Sequence, residues 1–154
     1  MAMGGNYSLS VKAELANLGE VRQFVATSCQ MLGAEASVVS DLVLAVDEAV
    51  TNIIIHGYKQ SCGPIEIDIG KTTTALVVRL QDSAPEFNPC FHEKPDLGSN
   101  LKTKTGGGFG VHLIKSAVDE VRYRAPAAGG NELTLVKQTP TPQAPAAIDD
   151  VKRA

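Results

Sequence analysis

The chain has few cysteines, and their spacing argues against a cysteine-based metal or redox site. Cys29, Cys62 and Cys90 are odd in number and far apart. None of them forms the C-x-x-C spacing that zinc sites and redox centres use. We therefore expect no zinc site, and thiols that stay reduced in a cytosol.

Long apolar runs and basic runs are also missing. No stretch approaches the roughly 18 apolar residues of a membrane span, and residues 1–8 lack the basic and apolar parts of a signal peptide. The net charge is −3, and no cluster of Lys and Arg alternates with aromatic residues. The negative net charge and the lack of such a cluster argue against a nucleic-acid-binding face. We expect a cytoplasmic protein that contacts neither membrane nor nucleic acid directly.

The remaining composition is that of a globular protein, with 44% hydrophobic and 20% charged residues. A chain of 154 residues fits one domain with a full core. We expect this domain to span residues 1–137. Residues 138–154 are rich in Pro and Ala and lack an apolar face, which predicts a flexible tail.

The periodicity of apolar residues gives the order of elements. Residues 82–108 have no period and are rich in Gly, Pro, Asn and Ser, which is typical of a long functional loop, here a lid. Asn17 is a candidate N-terminal cap of the first helix. The run 75–80 has enough apolar residues to form a strand that is buried on both faces. We predict strands at 7–15, 65–69, 75–80, 118–124 and 132–137, and helices at 17–33, 41–58 and 110–117. This order implies an α+β two-layer sandwich, with helices on one face of a mixed, mostly antiparallel sheet.

The helix predicted from Asp41 to Tyr58 carries a second, polar stripe. Glu48, Asn52 and His56 recur every four residues and so project from neighbouring turns in nearly the same direction. A carboxylate beside a carboxamide suits a hard cation with oxygen ligands, or a general base next to one. The alternative is an ordinary solvated helix face.

Glycines cluster just before the next predicted helix, at Gly106, Gly107, Gly108 and Gly110. Backbone amides in such a segment can approach a phosphate closely, and the helix N-terminus adds unpaired N–H donors and a favourable dipole. The alternative is a simple turn. A Walker A loop is excluded because no G-K-[ST] follows.

Asp82 directly follows a predicted strand at the mouth of the lid. A carboxylate there can accept a hydrogen bond from an exocyclic amine such as that of adenine. The alternative is a turn residue or a cap.

Taken together, these residues resemble the GHKL superfamily of ATPases and kinases, which share the Bergerat ATP-binding fold. The chain looks most like the anti-sigma-factor serine kinases of the RsbW and SpoIIAB type, over residues 7–137. Glu48, Asn52 and His56 match the E-x-x-x-N-x-x-x-H of the N-box. Asp82-Ser-Ala-Pro matches the G1 box, and residues 106–114 match the G2 box. One departure is Ala84, which stands where the G1 box commonly has glycine.

The resemblance implies roles for these residues. Asn52 would coordinate Mg²⁺, Asp82 would recognise adenine, and Glu48 would be the general base that takes the proton from a serine hydroxyl. Lys102 and Lys104 are candidate lid cations, with solvated lid charges as the alternative. His56 is expected to pack or make a structural hydrogen bond, and not to bind a ligand. The implied nucleotide-binding set is Asn52, Asp82, Lys104, Gly106, Gly107, Gly108, Phe109 and Gly110.

The function implied by the resemblance is that of an ATP- and Mg²⁺-dependent protein serine/threonine kinase and anti-sigma factor. Such a protein phosphorylates a STAS-type anti-anti-sigma factor and alternately sequesters a sigma factor, and it works as a homodimer. Two alternatives remain open. One is a nucleotide-dependent binding module without kinase activity, and the other is a GHKL-type ATPase that hydrolyses ATP without a protein substrate.

Overall fold

The computed structural model describes residues 4–88 and 107–140. Within these ranges the chain forms five strands and three α-helices, with a short 3-10 turn at Leu15–Asn17 and a π-helical segment at Ile53–Tyr58. The strands are β1 Gly4–Lys12, β2 Pro64–Lys71, β3 Ala75–Asp82, β4 Glu120–Arg124 and β5 Asn131–Gln138; the helices are α1 Leu18–Met31, α2 Ala36–Asn52 and α3 Gly107–Ala117.

The strands form one sheet in the order β1-β2-β3-β5-β4. All four pairings between these strands are antiparallel, whereas the sequence predicted a mixed, mostly antiparallel sheet. The pairing of β3 with β5 places Asp82 directly opposite Asn131. The predicted α+β architecture with a lid between β3 and α3 is confirmed for the sheet and helices, and residues 89–106 of the lid lie outside the described ranges.

The helices cover one face of the sheet, and this face holds the core. Val21 and Val25 of α1 and Leu42 and Val46 of α2 are fully buried, as is Ile67 of β2. Burial of each such side chain contributes about 1.5–3 kcal/mol to the free energy of unfolding. No helix in residues 4–88 and 107–140 is long and apolar enough to cross a membrane.

The apolar density of β3 would allow burial on both faces, but only one face of the strand is fully buried. Leu76, Val78 and Leu80 are fully buried, whereas Val77 and Arg79, which point to the opposite face, are only half-buried. The apolar density of this strand therefore exceeds what its one covered face requires.

The central helix differs from its prediction at both ends. It begins at Ala36 and not at Asp41, because Val38 and Val39 are buried and continue its apolar stripe toward the N-terminus. Its α-helical part ends at Asn52, and Ile53–Tyr58 continue as a π-helix. A π-turn contains more residues than an α-turn, so it changes the direction in which the following side chains point.

Asn17 precedes α1 as predicted, but its side chain does not cap the helix. It donates instead to the carbonyl oxygen of Lys12, at 2.9 Å, and so ties the end of β1 to the helix start. The helix ends at Met31, and Gly33 follows with a φ of 84°, which confirms the predicted glycine stop.

The described cysteines are free thiols. Cys29 is fully buried in the core, and burial raises the pKa of its thiol to about 11. Cys62 is exposed, and Cys90 lies outside the described residues. Because the thiolate is the reactive form, Cys29 is expected to be inert.

Candidate functional site

A cleft with mostly apolar walls lies where α2 and the π-helix meet the ends of β3 and β5. Two of the residues selected from the sequence, Asn52 and Asp82, line this cleft. A concave apolar surface with a few polar groups is the usual form of a small-molecule site. The lining residues are Ala49, Asn52, Ile53, Gly57, Asp82, Phe87, Ile114, Tyr123, Asn131 and Leu133.

Asn52, the last residue of α2, is only 4% exposed. Its Nδ2 is buried and has no hydrogen-bond partner among the described residues. A buried polar group without a partner costs about 1–3 kcal/mol in the free energy of folding. A ligand that places a hydrogen-bond acceptor here would satisfy this Nδ2, which the described residues leave without a partner.

Glu48 lies one helical turn before Asn52 and is partly exposed. It is not among the described residues that line the cleft. Partial burial raises the pKa of the Glu48 carboxyl, and the negative charge of the neighbouring Asp47 raises it further. A carboxylate with raised proton affinity is better suited to act as a general base.

The side chain of Asn52 is of a type that can bind a magnesium ion. Asn52, the predicted ligand, offers one carboxamide oxygen at the end of α2. No group of three His, Cys, Asp or Glu side chains that could hold a metal occurs within the described ranges. Mg²⁺ commonly takes only one or two protein ligands and completes its shell with phosphates and water. A single carboxamide oxygen is therefore compatible with a Mg²⁺ ion whose other ligands are phosphates and water.

Asp82 ends β3, and hydrogen bonds fix one of its two carboxylate oxygens. Its Oδ1 accepts from the backbone N–H of Ala84 and from Nδ2 of Asn131, both at 2.9 Å. Within the described chain Oδ2 has no hydrogen-bond partner. Burial raises the pKa of Asp82, and the two hydrogen bonds oppose that rise. The geometry leaves one acceptor atom for a donor in the cleft.

Asn131 holds the segment that follows Asp82. Its Oδ1 accepts from the backbone N–H of Phe87 at 2.8 Å and from the hydroxyl of Tyr123 at 2.6 Å. Besides Asp82, its Nδ2 approaches the carbonyl oxygens of Ala84 at 3.3 Å and Pro85 at 3.1 Å. A side chain that is 7% exposed thus satisfies both of its polar atoms within the site.

The sequence reasoning missed Asn131, although a signal was present. Asn131, Leu133 and Leu135 alternate along β5, and all three side chains are buried. Burial of a polar side chain on the apolar face of a strand costs free energy of folding unless that side chain has hydrogen-bond partners. Such a residue is therefore a candidate for a structural or functional hydrogen-bond network.

Tyr58 was also missed as a site residue. Its hydroxyl donates to the carbonyl oxygen of Pro64 at 2.7 Å and accepts from the backbone N–H of Ser83 at 2.8 Å. The side chain is 6% exposed. It thereby connects the C-terminal end of the π-helix to the residue next to Asp82.

Gly130 makes the close approach of β5 to Asp82 possible. It has a φ of 80°, and a Cβ atom there would lie 2.0 Å from the carbonyl oxygen of Asp82. We expect Gly130→Ala to lower the free energy of unfolding by about 3 kcal/mol or more, since backbone must move as well as adopt a strained φ. Urea denaturation measures this.

Gly129 supplies the matched control for that substitution. Its φ is 102°, but a Cβ atom there would meet nothing within 4 Å. Gly129→Ala should therefore show only the conformational cost, about 1–2 kcal/mol. Equal losses in the two variants would contradict a role for the contact with Asp82.

His56 and Ala84 pack near the site. The rings of His56 and Phe87 lie with their centroids 6.0 Å apart, in line with the expected packing role of His56. Ala84 is buried, and a Cβ atom built on Gly57 would lie 3.3 Å from the Ala84 methyl carbon. Ala84 is not among the described residues that line the cleft, so its methyl group packs toward the helix end.

The described glycines of the cluster, Gly107, Gly108 and Gly110, lie in the first turn of α3 and not ahead of it. The helix begins at Gly107, so Gly107, Gly108, Phe109 and Gly110 are helical. Ile114 of the same helix lines the cleft. The helix was predicted to begin at residue 110, and that boundary was wrong. The other residues selected from the lid, Lys102, Lys104 and Gly106, lie outside the described ranges.

Comparison with known proteins shows the family to which this chain belongs. Residues 11–137 match the family model described as histidine kinase-like ATPase domain. The serine-protein kinase RsbW of Bacillus subtilis is 31% identical over 123 residues, with 75% of this chain and 76% of the relative covered. The anti-sigma F factor of Clostridium novyi is 27% identical over 143 residues, with 88% and 95% covered.

A solved structure shows the same fold. The crystal structure of the RsbU and RsbW domains of Rv1364c from Mycobacterium tuberculosis superimposes with a TM-score of 0.60 at 20% identity. It covers 88% of this chain, and this chain spans 33% of the solved one. From the family match and the relatives, the chain belongs to the histidine kinase-like ATPase domain family, in the branch that includes RsbW kinases and anti-sigma F factors.

Proposed function

We propose that this protein is a cytoplasmic anti-sigma factor with serine-protein kinase activity, which binds Mg-ATP and phosphorylates a STAS-type anti-anti-sigma factor. Between phosphorylation events it sequesters a sigma factor, and it acts as a homodimer. The observation that carries the proposal is the cleft itself. Its wall presents the buried carboxamide of Asn52, whose Nδ2 has no partner among the described residues, and the carboxylate of Asp82, whose Oδ2 accepts from none of them. The names of the relatives support the choice of kinase and partners.

Different side chains of the cleft bind different parts of the nucleotide. Asp82 Oδ2 accepts a hydrogen bond from the exocyclic amine of adenine, and the carboxamide oxygen of Asn52 binds Mg²⁺. The backbone N–H groups at the start of α3 bind phosphate, as at other helix N-termini. Lys104, Gly106 and Phe109 are proposed from the sequence to complete the phosphate site. When bound, Mg²⁺ supplies neutralisation of charge on the phosphates.

Glu48 is the proposed general base. Its partial exposure leaves it accessible to a hydroxyl carried by a second protein. Phosphoryl transfer depends mainly on positioning and electrostatic stabilisation, so one carboxylate that orients and deprotonates the serine hydroxyl is sufficient. The raised pKa of Glu48 matches this task.

The pH dependence of transfer should respond to Asp47. Partial burial is the larger cause of the raised pKa of Glu48 and the charge of Asp47 is the smaller one, so Asp47→Asn should lower that pKa in part. Only ionised Glu48 accepts a proton, and the acid limb of kcat/KM against pH should therefore move to lower pH. Asp47 accepts a hydrogen bond from Arg22 at 2.8 Å, which the carboxamide oxygen of asparagine can replace.

Asp41→Asn is the matched control for the pH profile, because Asp41 lies on the same helix and pairs with Lys137 at 3.0 Å. Its acid limb should coincide with that of the wild type. An unchanged profile in Asp47→Asn would contradict the assignment of the acid limb to Glu48.

Incubation with radiolabelled ATP and a STAS-domain protein, followed by mapping of the phosphorylated residue, tests the proposed activity. Label on a serine or threonine of the STAS domain is the expected result. ATP binding without transfer would identify a nucleotide-dependent binding module. Steady hydrolysis in the absence of the STAS domain would identify an ATPase of another kind.

A further inference from the structure

Two buried side chains from different elements, Tyr58 and Asn131, make hydrogen bonds to the segment from Asp82 to Phe87. We call these two sets of contacts the brace. Tyr58 contacts the segment at the N–H of Ser83, and Asn131 contacts it at Asp82 and at the backbone beyond. Tyr58 comes from the end of the π-helix and Asn131 from the start of β5. Neither contact is needed to build the sheet, whose strands pair through their own backbone groups.

Two features of the backbone after Tyr58 accompany the position of its hydroxyl next to this segment. Lys59 follows with a φ of 58°, a conformation that residues other than glycine seldom adopt and that costs about 1–3 kcal/mol. Gly63 lies against the Tyr58 ring, and a Cβ atom there would be 2.5 Å from Cε1 of that ring. A strained residue and an obligatory glycine thus accompany the placement of this tyrosine.

The other side of the brace is just as specific. The backbone N–H of Phe87 can only donate, so its bond to Asn131 Oδ1 fixes which end of the carboxamide faces Asp82. The Tyr123 hydroxyl donates to the same oxygen. Asn131 Nδ2 can then donate to Asp82 Oδ1. The Ala84 N–H donates to the same oxygen, and the carboxylate is held in one orientation.

We propose that Tyr58 and Asn131 are positioning residues that orient the Asp82 carboxylate and so set the selectivity of the site for a base with an exocyclic amine. This rests on the proposed function, in which Asp82 Oδ2 accepts from that amine. A carboxylate rotates readily, and its two oxygens are equivalent acceptors until donors distinguish them. With Oδ1 occupied by two donors, Oδ2 is the oxygen directed at the ligand.

Selectivity is the measurement that separates positioning from stability. The probes are ATP and purine riboside triphosphate, which differ by the 6-amino group. A hydrogen bond to a charged acceptor makes the wild type prefer ATP by roughly 10- to 100-fold. In Tyr58→Phe the Ser83 N–H loses its acceptor, and the Asp82 carboxylate is no longer aligned with the amine. We therefore expect the preference for ATP over purine riboside triphosphate, given by the ratio of their dissociation constants, to fall to about threefold or less. Tyr7→Phe, a matched change on β1, should retain the wild-type ratio.

Amide hydrogen exchange of the protein without nucleotide tests the brace independently. Removal of the Tyr58 hydroxyl should speed exchange of the Ser83 amide by about tenfold or more, because that amide loses its described acceptor. Tyr7→Phe should leave it unchanged. Asn131→Leu, which extends the apolar register of β5, should speed exchange at Ala84 and Phe87 and also lower the selectivity ratio.

The outcomes separate the inference from the proposed function. Unchanged selectivity in Tyr58→Phe, whatever its exchange rates, would overturn the inference, while ATP binding by the wild type would leave the proposed function standing. Wild-type protein that binds neither triphosphate would overturn both the proposed function and the selectivity role. In that case faster Ser83 exchange would show a brace that serves stability alone.

Discussion

Replacement of Glu48 by Gln should reduce phosphoryl transfer to a STAS-domain substrate by about 10²- to 10⁴-fold, the usual contribution of a general base. Glutamine has nearly the same shape but cannot accept the hydroxyl proton. Because Glu48 is not among the described residues that line the cleft, the dissociation constant of ATP should change by less than about threefold. Transfer from radiolabelled ATP and calorimetric binding, measured on one preparation, give both values.

Glu35→Gln is the matched control for this experiment. Glu35 precedes the first turn of the same helix and is exposed. Its substitution should leave both transfer and binding unchanged. Substantial transfer in Glu48→Gln, within about tenfold of the wild type, would remove Glu48 from the role of base.

Asp82→Asn should have the second large effect, a loss of roughly 10- to 100-fold in ATP affinity, because a hydrogen bond to a charged acceptor is lost. The NH₂ group of asparagine is a hydrogen-bond donor and would also face another donor in either orientation of the side chain. If its nitrogen takes the place of Oδ1, it faces the Ala84 N–H and Asn131 Nδ2; if it takes the place of Oδ2, it faces the adenine amine. Calorimetric titration with Mg-ATP measures the loss.

Asp119→Asn provides the comparison for Asp82→Asn. Asp119 also accepts a hydrogen bond from a backbone N–H, that of Gln138 at 2.7 Å, but it does not line the cleft. Its affinity for ATP should equal that of the wild type. Wild-type affinity in Asp82→Asn, with the free energy of unfolding unchanged, would show that the carboxylate does not recognise the base.

The sequence predicted those parts of the site that depend on local spacing. Glu48 and Asn52 are four residues apart in a helix, and this fixes their relative position whatever the rest of the fold does. Asp82 could be placed because it follows a recognisable strand at the start of a segment without period. Their roles in binding and catalysis remain predictions.

The brace could not be predicted because it depends on long-range register. Asp82 and Asn131 are 49 residues apart and meet only because β3 and β5 pair antiparallel in one particular alignment. A shift of that alignment by one residue would turn Asn131 to the other face of the sheet. Local pattern marks Asn131 as a buried polar residue, but it does not say which group it meets.

The change from α-helix to π-helix after Asn52 could not be predicted from the sequence for a different reason. The apolar spacing through Ile53 and Ile54 is compatible with a continuous α-helix. What distinguishes the two is the backbone beyond it, where Lys59 takes a positive φ and Gly63 admits the Tyr58 ring. Tertiary contacts therefore decide where the hydroxyl of Tyr58 lies.

Isothermal titration of ATP into the purified protein, with and without Mg²⁺, tests the central claim most directly. The claim is that the cleft between Asn52 and Asp82 is a nucleotide site. We expect saturable binding of ATP that weakens when Mg²⁺ is removed. An absence of binding by the wild-type protein in the presence of Mg²⁺ would contradict the claim.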